Sequence, residues 1–252
     1  MFPVEWAFYL VAIPAVVISG LGKGGMGSAL GMISVPLMAF VIPPTEAAAI
    51  MLPLLIVMDA LAIWSYRHHI DWLLMKLILP AGLLGVVLGA LLFDLLSEQY
   101  IRLLIGCISV AFSLHQWLGS RWLKHYQPGK TAGWILSLVA GFTSYGIHAG
   151  GPPLSVYMLP LRMNKQLLAG TMGVFFGIIN VSKLFAYGHV GQMNVSTLMA
   201  SLVLLPLCPI SVLAGKAMVK RLNEAVFYQI LFIGLFITGI KLIYDGVTPL
   251  FS

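Results

Sequence analysis

Two glycine-rich segments of this chain resemble each other. Gly22–Leu37 has the sequence GKGGMGSALGMISVPL, and Gly146–Leu161 has the sequence GIHAGGPPLSVYMLPL. The coincident residues are Gly22 with Gly146, Gly27 with Gly151, Leu30 with Leu154, Pro36 with Pro160 and Leu37 with Leu161, and further along Tyr66 with Tyr187, Pro80 with Pro206, Gly89 with Gly215 and Glu98 with Glu224. Self-similarity over this length indicates a duplicated unit, so we predict two copies of one structure.

The composition of the whole chain excludes a soluble protein. Of its 252 residues, 60% are hydrophobic and 9% are charged, whereas a soluble domain carries about 25% charged residues. An apolar helix of about 20 residues crosses a bilayer, which leaves room for about eight to ten helices. The apolar runs are continuous and do not alternate at period two, which excludes a transmembrane β-barrel. We therefore predict an all-α polytopic membrane protein.

The apolar runs give the predicted domain organisation. They cover roughly 4–41, 45–66, 72–93, 99–118, 131–161, 165–187, 194–215 and 225–244. Two of these runs are too long for one crossing, and each contains one glycine-rich segment. We predict a first transmembrane repeat at 1–118, a cytoplasmic linker at 119–130 and a second repeat at 131–252. Each repeat then consists of a broken or re-entrant helix pair followed by three transmembrane helices.

Basic residues at the joints between runs predict the orientation. If each long run crosses once, the Lys and Arg residues at the joints divide four against six, without bias. If each long run returns to the side it came from, the Lys and Arg residues divide nine against one. Because cytoplasmic loops of membrane proteins carry an excess of Lys and Arg, the side with nine is predicted to be cytoplasmic. The single residue is Arg102, and the nine are Arg67, Arg121, Lys124, Lys130, Arg162, Lys165, Lys216, Lys220 and Arg221. We therefore predict inverted repeats in the inner cell membrane, with both termini outside.

The glycine-rich segments are the predicted binding site. A half-helix that begins near the midplane points its free N–H groups and its positive dipole end inward, which favours an anion. Glycine allows close backbone approach to a ligand, and proline suits a helix start. Lys23 adds a point charge, and His148 adds a hydrogen-bond donor. The candidate substrate-binding residues are Gly22, Lys23, Gly24, Gly25, Gly27 and Ser28 in the first segment, and Ser144, His148, Gly150, Gly151 and Pro152 in the second.

Several of these residues have simpler interpretations. Lys23 could extend to the membrane interface instead, and His148 could bond a freed backbone carbonyl. Asp59, inside an apolar run, could bind a coupling proton, pair with a nearby cation or lie at the inner surface. Asn180 is a candidate polar residue lining the pathway. The GxxxG pairs that we attribute to helix packing are Gly85 with Gly89 and Gly173 with Gly177.

The paired segments, GKGGMG and GIHAGGPP, each followed by an apolar stretch ending in Pro-Leu, resemble the TauE/SafE sulfite-exporter family. The resemblance extends over essentially the whole chain. It implies transport of sulfite, thiosulfate, sulfonates, sulfoacetate-like compounds or other small organic anions, without selecting a substrate or a direction. The residues that match best are Gly22, Gly25, Gly27, Pro36, Gly150, Gly151 and Pro152.

Two other functions remain open. Ser144 and His148 are four residues apart, which on a helix would place a nucleophile near a base, as in an intramembrane hydrolase. A non-transporting membrane assembly subunit is the third class. We favour a transporter with no catalytic residues and no cofactor. We also predict no metal site, because the cysteines and histidines lack the spacing of metal ligands. A P-loop is absent, which favours secondary transport. The predicted partners are a small anionic substrate and membrane lipid, with no nucleic acid; a homodimer is left open.

Overall fold

The chain folds as a bundle of α-helices in a computed structural model, which describes residues 6–26, 28–93, 95–118, 128–189, 192–218 and 224–248. Over these ranges the backbone forms no strand, which confirms the predicted all-α class. The helices are α1 (Trp6–Leu21), α2 (Ser34–Met38), α3 (Pro44–Tyr66), α4 (Trp72–Phe93), α5 (Glu98–Leu118), α6 (Lys130–Ile147), α7 (Gly151–Met158), α8 (Lys165–His189), α9 (Val195–Leu204), α10 (Leu207–Met218) and α11 (Glu224–Val247).

Four helical segments in the described ranges are long and apolar enough to cross a bilayer: Trp6–Gly25, α3, α4 and α8. The helices α9 and α10 are bent by 44° relative to each other, and if they together form one span, the number of crossings rises to five. We predicted an uninterrupted run there. The bend follows Pro206, which has no N–H with which to continue the helical hydrogen-bond ladder. These helices make the chain a multi-pass membrane protein.

The first glycine-rich segment breaks a helix after α1. Gly22–Met26 forms a π-helical turn, which we call the first break, and a 3₁₀ helix at Ser28–Ile33 leads into α2. Within the turn, Gly25 has φ of 128°, a conformation that L side chains rarely adopt. A glycine is therefore required at this position to change the direction of the chain.

The second glycine-rich segment breaks a helix after α6. His148 has a left-handed backbone with φ of 54°, and α7 begins at Gly151 with Pro152 in its first turn. We call His148–Gly150 the second break. Proline at this position agrees with its expected role at a helix start, because the first N–H groups of a helix lack partners within that helix.

Equivalent helices of the two copies pack against each other in opposite directions. In the pair α3 and α8, Asp59 meets Asn180, whereas His69, just beyond the end of α3, lies beside Gly170 near the start of α8. The two helices are therefore antiparallel.

The pair α5 and α11 has the same relation. Gly106 lies against Gly239, while Gln99, near the start of α5, lies against Gly246 near the end of α11. Inverted repeats bring equivalent membrane helices together in this antiparallel way. Inversion itself stays a prediction, as does the membrane face at which the basic joints lie.

Glycines allow the helices of the two copies to approach closely. A Cβ on Gly85 of α4 would lie 2.1 Å from the carbonyl oxygen of Leu138 in α6, and one on Gly89 would lie 2.7 Å from Tyr145. These distances agree with a packing role for the Gly85–Gly89 pair. Gly173 in α8 is different, because its Cβ would have ordinary contacts of 3.7 Å or more.

Candidate functional site

An ion pair joins the first break to α3. The Lys23 ammonium bonds Oδ1 of Asp59, and the amide of Asn180 in α8 donates to Oδ2 at 2.6 Å. The side chains of Lys23 and Asp59 are 9% and 1% exposed. Lys23 therefore points into the protein and not to the membrane interface. This arrangement matches one of the three interpretations of Asp59, namely that it pairs with a nearby cation.

A second buried cation lies beside the second break. Lys183 of α8 has no exposed surface, and its Nζ donates to the Ser144 carbonyl at 2.8 Å and to the Ser144 hydroxyl at 3.1 Å. The same Nζ lies 2.7 Å from Nδ1 of His148. Three acceptors match the three N–H bonds of an ammonium group. Lys183 thus ties α8 to the last turn of α6 and to the break that follows it.

The contacts of His148 identify its tautomer. Nε2 lies 2.9 Å from the carbonyl oxygen of Ala48 in α3, so Nε2 carries the proton that is donated. Nδ1 is then the acceptor for the Lys183 ammonium, and the imidazole is neutral. Because both ring nitrogens are occupied, His148 has no free donor for a substrate in this conformation. Of the two interpretations of His148, the structure therefore favours a bond to a backbone carbonyl over donation to a substrate.

One aromatic ring brings the two breaks together. The Lys23 ammonium lies 4.8 Å from the centroid of the Phe176 ring in α8. A Cβ on Gly150, in the second break, would lie 2.8 Å from the same ring. A cation over an aromatic face is stabilised by the ring quadrupole. Phe176 therefore touches both breaks, and the two predicted parts of the site adjoin each other.

The charges of this cluster do not cancel. Among the described residues at the two breaks, Lys23 and Lys183 are cations, Asp59 is the carboxylate and His148 is neutral. No described carboxylate lies within ion-pair distance of Lys183. With both lysines protonated, the cluster carries one net positive charge in the interior of the bundle, where an unpaired charge is costly.

Two tyrosines bond the backbone carbonyls of the segments around the breaks. The Tyr66 hydroxyl at the end of α3 donates to the Gly24 carbonyl at 3.2 Å, and the Tyr187 hydroxyl near the end of α8 donates to the Tyr145 carbonyl. Each pair is 42 residues apart in sequence. Tyr66 and Tyr187 are matched residues of the repeat, so the duplication preserves this contact.

A cavity of about 220 Å³ adjoins the second break. It is partly open, and it lies between the start of α3, the end of α4, the start of α5 and the end of α8. Its wall includes Ala48, whose carbonyl bonds His148, and Tyr145 and Gly146 just before the break. Its other lining residues are Thr45, Phe93, Leu96, Ile101, Tyr187 and Gln192. The cavity extends from one end of the bundle toward the charged cluster.

Two predicted site glycines contact the backbone of the chain itself. A Cβ on Gly24 would lie 2.3 Å from the carbonyl oxygen of Val212 in α10. A Cβ on Gly150 would lie 2.5 Å from the carbonyl oxygen of Ala140 in α6. Their lack of a side chain is therefore explained by helix packing, before any ligand is considered.

The remaining candidates lie along the same segments. Gly22 in the first break is buried, as are Gly151 and Pro152 at the start of α7. Ser28 begins the 3₁₀ helix, and Gly27 lies outside the described residues. The predicted segments thus lie at the charged cluster, although not every residue in them has a side chain directed there.

Lys183 and Phe176 were absent from our predicted site. Both lie in the middle of an apolar run, and no short motif marks them. One signal was available for Lys183: at the spacing of 124 residues that aligns Gly22 with Gly146, Asp59 falls on Lys183. The spacing of 121 residues that aligns Tyr66 with Tyr187 instead places Asp59 on Asn180, so the repeat points to residues 180–183 of α8 as the counterpart of Asp59.

One protein-family model matches nearly the whole chain. The model of the sulfite exporter TauE/SafE family matches residues 12–242. The chain belongs to this family. Neither the comparison with curated proteins nor that with solved structures gave a match. Membership of the TauE/SafE family makes the protein a multi-pass membrane transporter.

The geometry also bears on the hydrolase alternative. The Ser144 hydroxyl contacts Lys183, and both nitrogens of His148 are bonded elsewhere. The described contacts therefore contain no Ser144–His148 pair to act as nucleophile and base. A TauE/SafE transporter requires no such pair.

Proposed function

We propose that this TauE/SafE protein is a secondary transporter of small anions, with sulfur oxyanions or organosulfonates as its substrates. The observation that supports this most strongly is the presence of two largely buried lysines and a single buried carboxylate among the described residues at the two breaks. Lys23 and Lys183 together exceed the single carboxylate Asp59 by one charge. A monoanion is attracted to this excess of positive charge, because charges interact strongly at the low dielectric of the protein interior.

The residues contribute to anion binding in different ways. Lys23 is the direct ligand, because its ammonium lies on the first break and faces Phe176 toward the second. Lys183 acts through its charge, since its three N–H bonds already hold Ser144 and His148. The N-terminus of α7 adds the positive end of a helix dipole.

The architecture supports alternating access to this site. Equivalent helices of the two copies run antiparallel, and in transporters with inverted repeats the substrate lies between the repeats near the midplane. The cavity beside the second break supplies an approach from one end of the bundle. Movement of one half against the other would open the opposite end.

Anion-dependent stabilisation of the purified protein tests this function. The panel is sulfite, thiosulfate, methanesulfonate and sulfoacetate, and a ligand that binds the native state raises its stability by mass action. We expect Lys23→Ala to weaken the binding of every stabilising anion by roughly ten- to a hundredfold, the value of a charge-assisted contact of about 1.5–3 kcal/mol.

The matched control is Lys76→Ala, which removes an exposed lysine from α4. This variant should bind anions as the wild type does, and liposomes containing either protein should show anion flux. Equal affinity in Lys23→Ala and Lys76→Ala would separate the binding site from the first break. An absence of stabilisation by all four anions would contradict the proposed substrate class.

A further inference from the structure

Asp59 competes with any anion for Lys23. The Lys23 ammonium bonds Oδ1 of the carboxylate, and both side chains lie inside the bundle. An anion that reached Lys23 in this arrangement would lie against a second negative charge at low dielectric, where like charges repel strongly. Substrate binding at Lys23 therefore requires Asp59 to move away or to lose its charge.

We propose that Asp59 is a proton-binding site whose protonation is coupled to anion binding at Lys23, so that the protein carries one proton together with a monoanion. The inference rests on the proposed function and deepens it by naming the coupling ion. It follows from three contacts: Lys23 on one carboxylate oxygen, Asn180 on the other, and the Phe176 ring beside the Lys23 ammonium.

The proton transfer balances in charge. A hydronium ion or a buffer acid transfers its proton to Oδ1 of Asp59 and leaves as water or as the buffer base. The Lys23 ammonium keeps its own protons and turns to the anion. Oδ2 continues to accept from Asn180, whose Nδ2 lies 2.6 Å away. The cluster has one net positive charge before loading, and one after it gains a proton and a monoanion. Loading therefore adds no charge to the buried site.

The neighbours of Asp59 make it a better proton acceptor than His148. The charged and polar groups facing Asp59 in the described residues are Lys23 from the first break and Asn180 and Lys183 from α8. His148, by contrast, contacts Lys183 directly. A second proton on its imidazole would occupy Nδ1, which faces the Lys183 ammonium at 2.7 Å. Two cationic groups at this distance repel each other.

The test uses methanesulfonate, which stays a monoanion from mildly acidic to mildly alkaline pH. Binding to the purified full-length protein is measured in weak buffer, together with the uptake of protons from solution. We expect one proton to be taken up per anion at mildly alkaline pH. Affinity should fall by about tenfold per pH unit there, because each bound anion requires one bound proton.

Two variants assign the proton. Asp59→Asn should bind methanesulfonate with an affinity independent of pH and without proton uptake, since its amide leaves Lys23 unpaired at every pH. The matched control is Asp245→Asn, which alters another aspartate paired with a lysine, at 2.5 Å from Lys241 in α11. This control should keep both the uptake and the pH dependence of the wild type.

The outcomes separate this inference from the proposed function. Binding of methanesulfonate by the wild type without proton uptake would overturn the proton site and leave the anion transporter intact. Uptake that persists in folded Asp59→Asn would overturn the assignment to Asp59. An absence of methanesulfonate binding at every pH would overturn the proposed function and this inference together. The wild-type measurement does not depend on whether a variant folds.

Discussion

The first break, Gly22–Met26, and the second, His148–Gly150, follow equivalent helices, yet different contacts hold them. The first contains a glycine with φ of 128°, one bond from Tyr66 and the Lys23–Asp59 pair. The second contains a histidine at φ of 54° whose ring bonds both Lys183 and Ala48. Just before it, Lys183 makes two further bonds to Ser144, and the Tyr187 hydroxyl donates to Tyr145. The second break is therefore fixed by more hydrogen bonds.

The positions of the charges are exchanged between the two copies. In the first copy, the cation lies on the break and the carboxylate on α3; in the second, the cation Lys183 lies on α8, the equivalent of α3, and a neutral His148 lies on the break. Duplication thus preserved a break after the first helix of each copy and the tyrosine contact, while the charged side chains diverged. We infer that the first break responds to the ligand and the second supports it.

The ion pair gives the largest expected effect on stability. Lys23→Met leaves the Asp59 carboxylate buried without its cation, which should cost about 3–5 kcal/mol in the free energy of unfolding. Lys23→Met combined with Asp59→Asn should recover most of this loss, because neither member of the pair is then left charged without its partner. Denaturant unfolding in detergent micelles measures both values.

The control for this cycle is the pair Lys241–Asp245 in α11, whose side chains are 42% and 28% exposed. Lys241→Met should change the free energy of unfolding by about 0–1 kcal/mol, as is usual for exposed pairs. Equal losses for Lys23→Met and Lys241→Met would show that the first break does not depend on a buried charge.

The backbone of the first break gives a smaller effect. Gly25→Ala places a side chain on a residue with φ of 128° and should lower the free energy of unfolding by about 1–3 kcal/mol. Gly31→Ala is the matched control in the following 3₁₀ helix, where an added Cβ meets nothing within 4 Å. It should leave stability unchanged or slightly raised, and a loss equal to that of Gly25→Ala would exclude backbone conformation as the cause.

The sequence predicted the parts of the fold that depend on local backbone chemistry. Glycine and proline restrict or release the backbone at their own positions, so the breaks near Gly25 and Gly150 and the helix start at Pro152 could be located. Pro206 carries the same kind of signal for the bend between α9 and α10. Family resemblance, carried by the same residues, was confirmed by the family match.

The partners of the charged side chains could not be predicted in the same way. His148 bonds the carbonyl of Ala48, a residue 100 positions away, and Asp59 bonds Asn180 at a separation of 121. Such contacts depend on which helices pack together and at what rotation. Lys183 was hidden for the same reason, because an apolar run does not show which of its faces meets a break.

The position of a bound anion tests the central claim most directly. Crystals grown with bromoethanesulfonate allow the bromine to be located by anomalous diffraction. We predict one peak between the two breaks, beside Phe176 and within side-chain reach of Lys23. A peak found only beside exposed lysines such as Lys76, with none at the breaks, would contradict a central anion site.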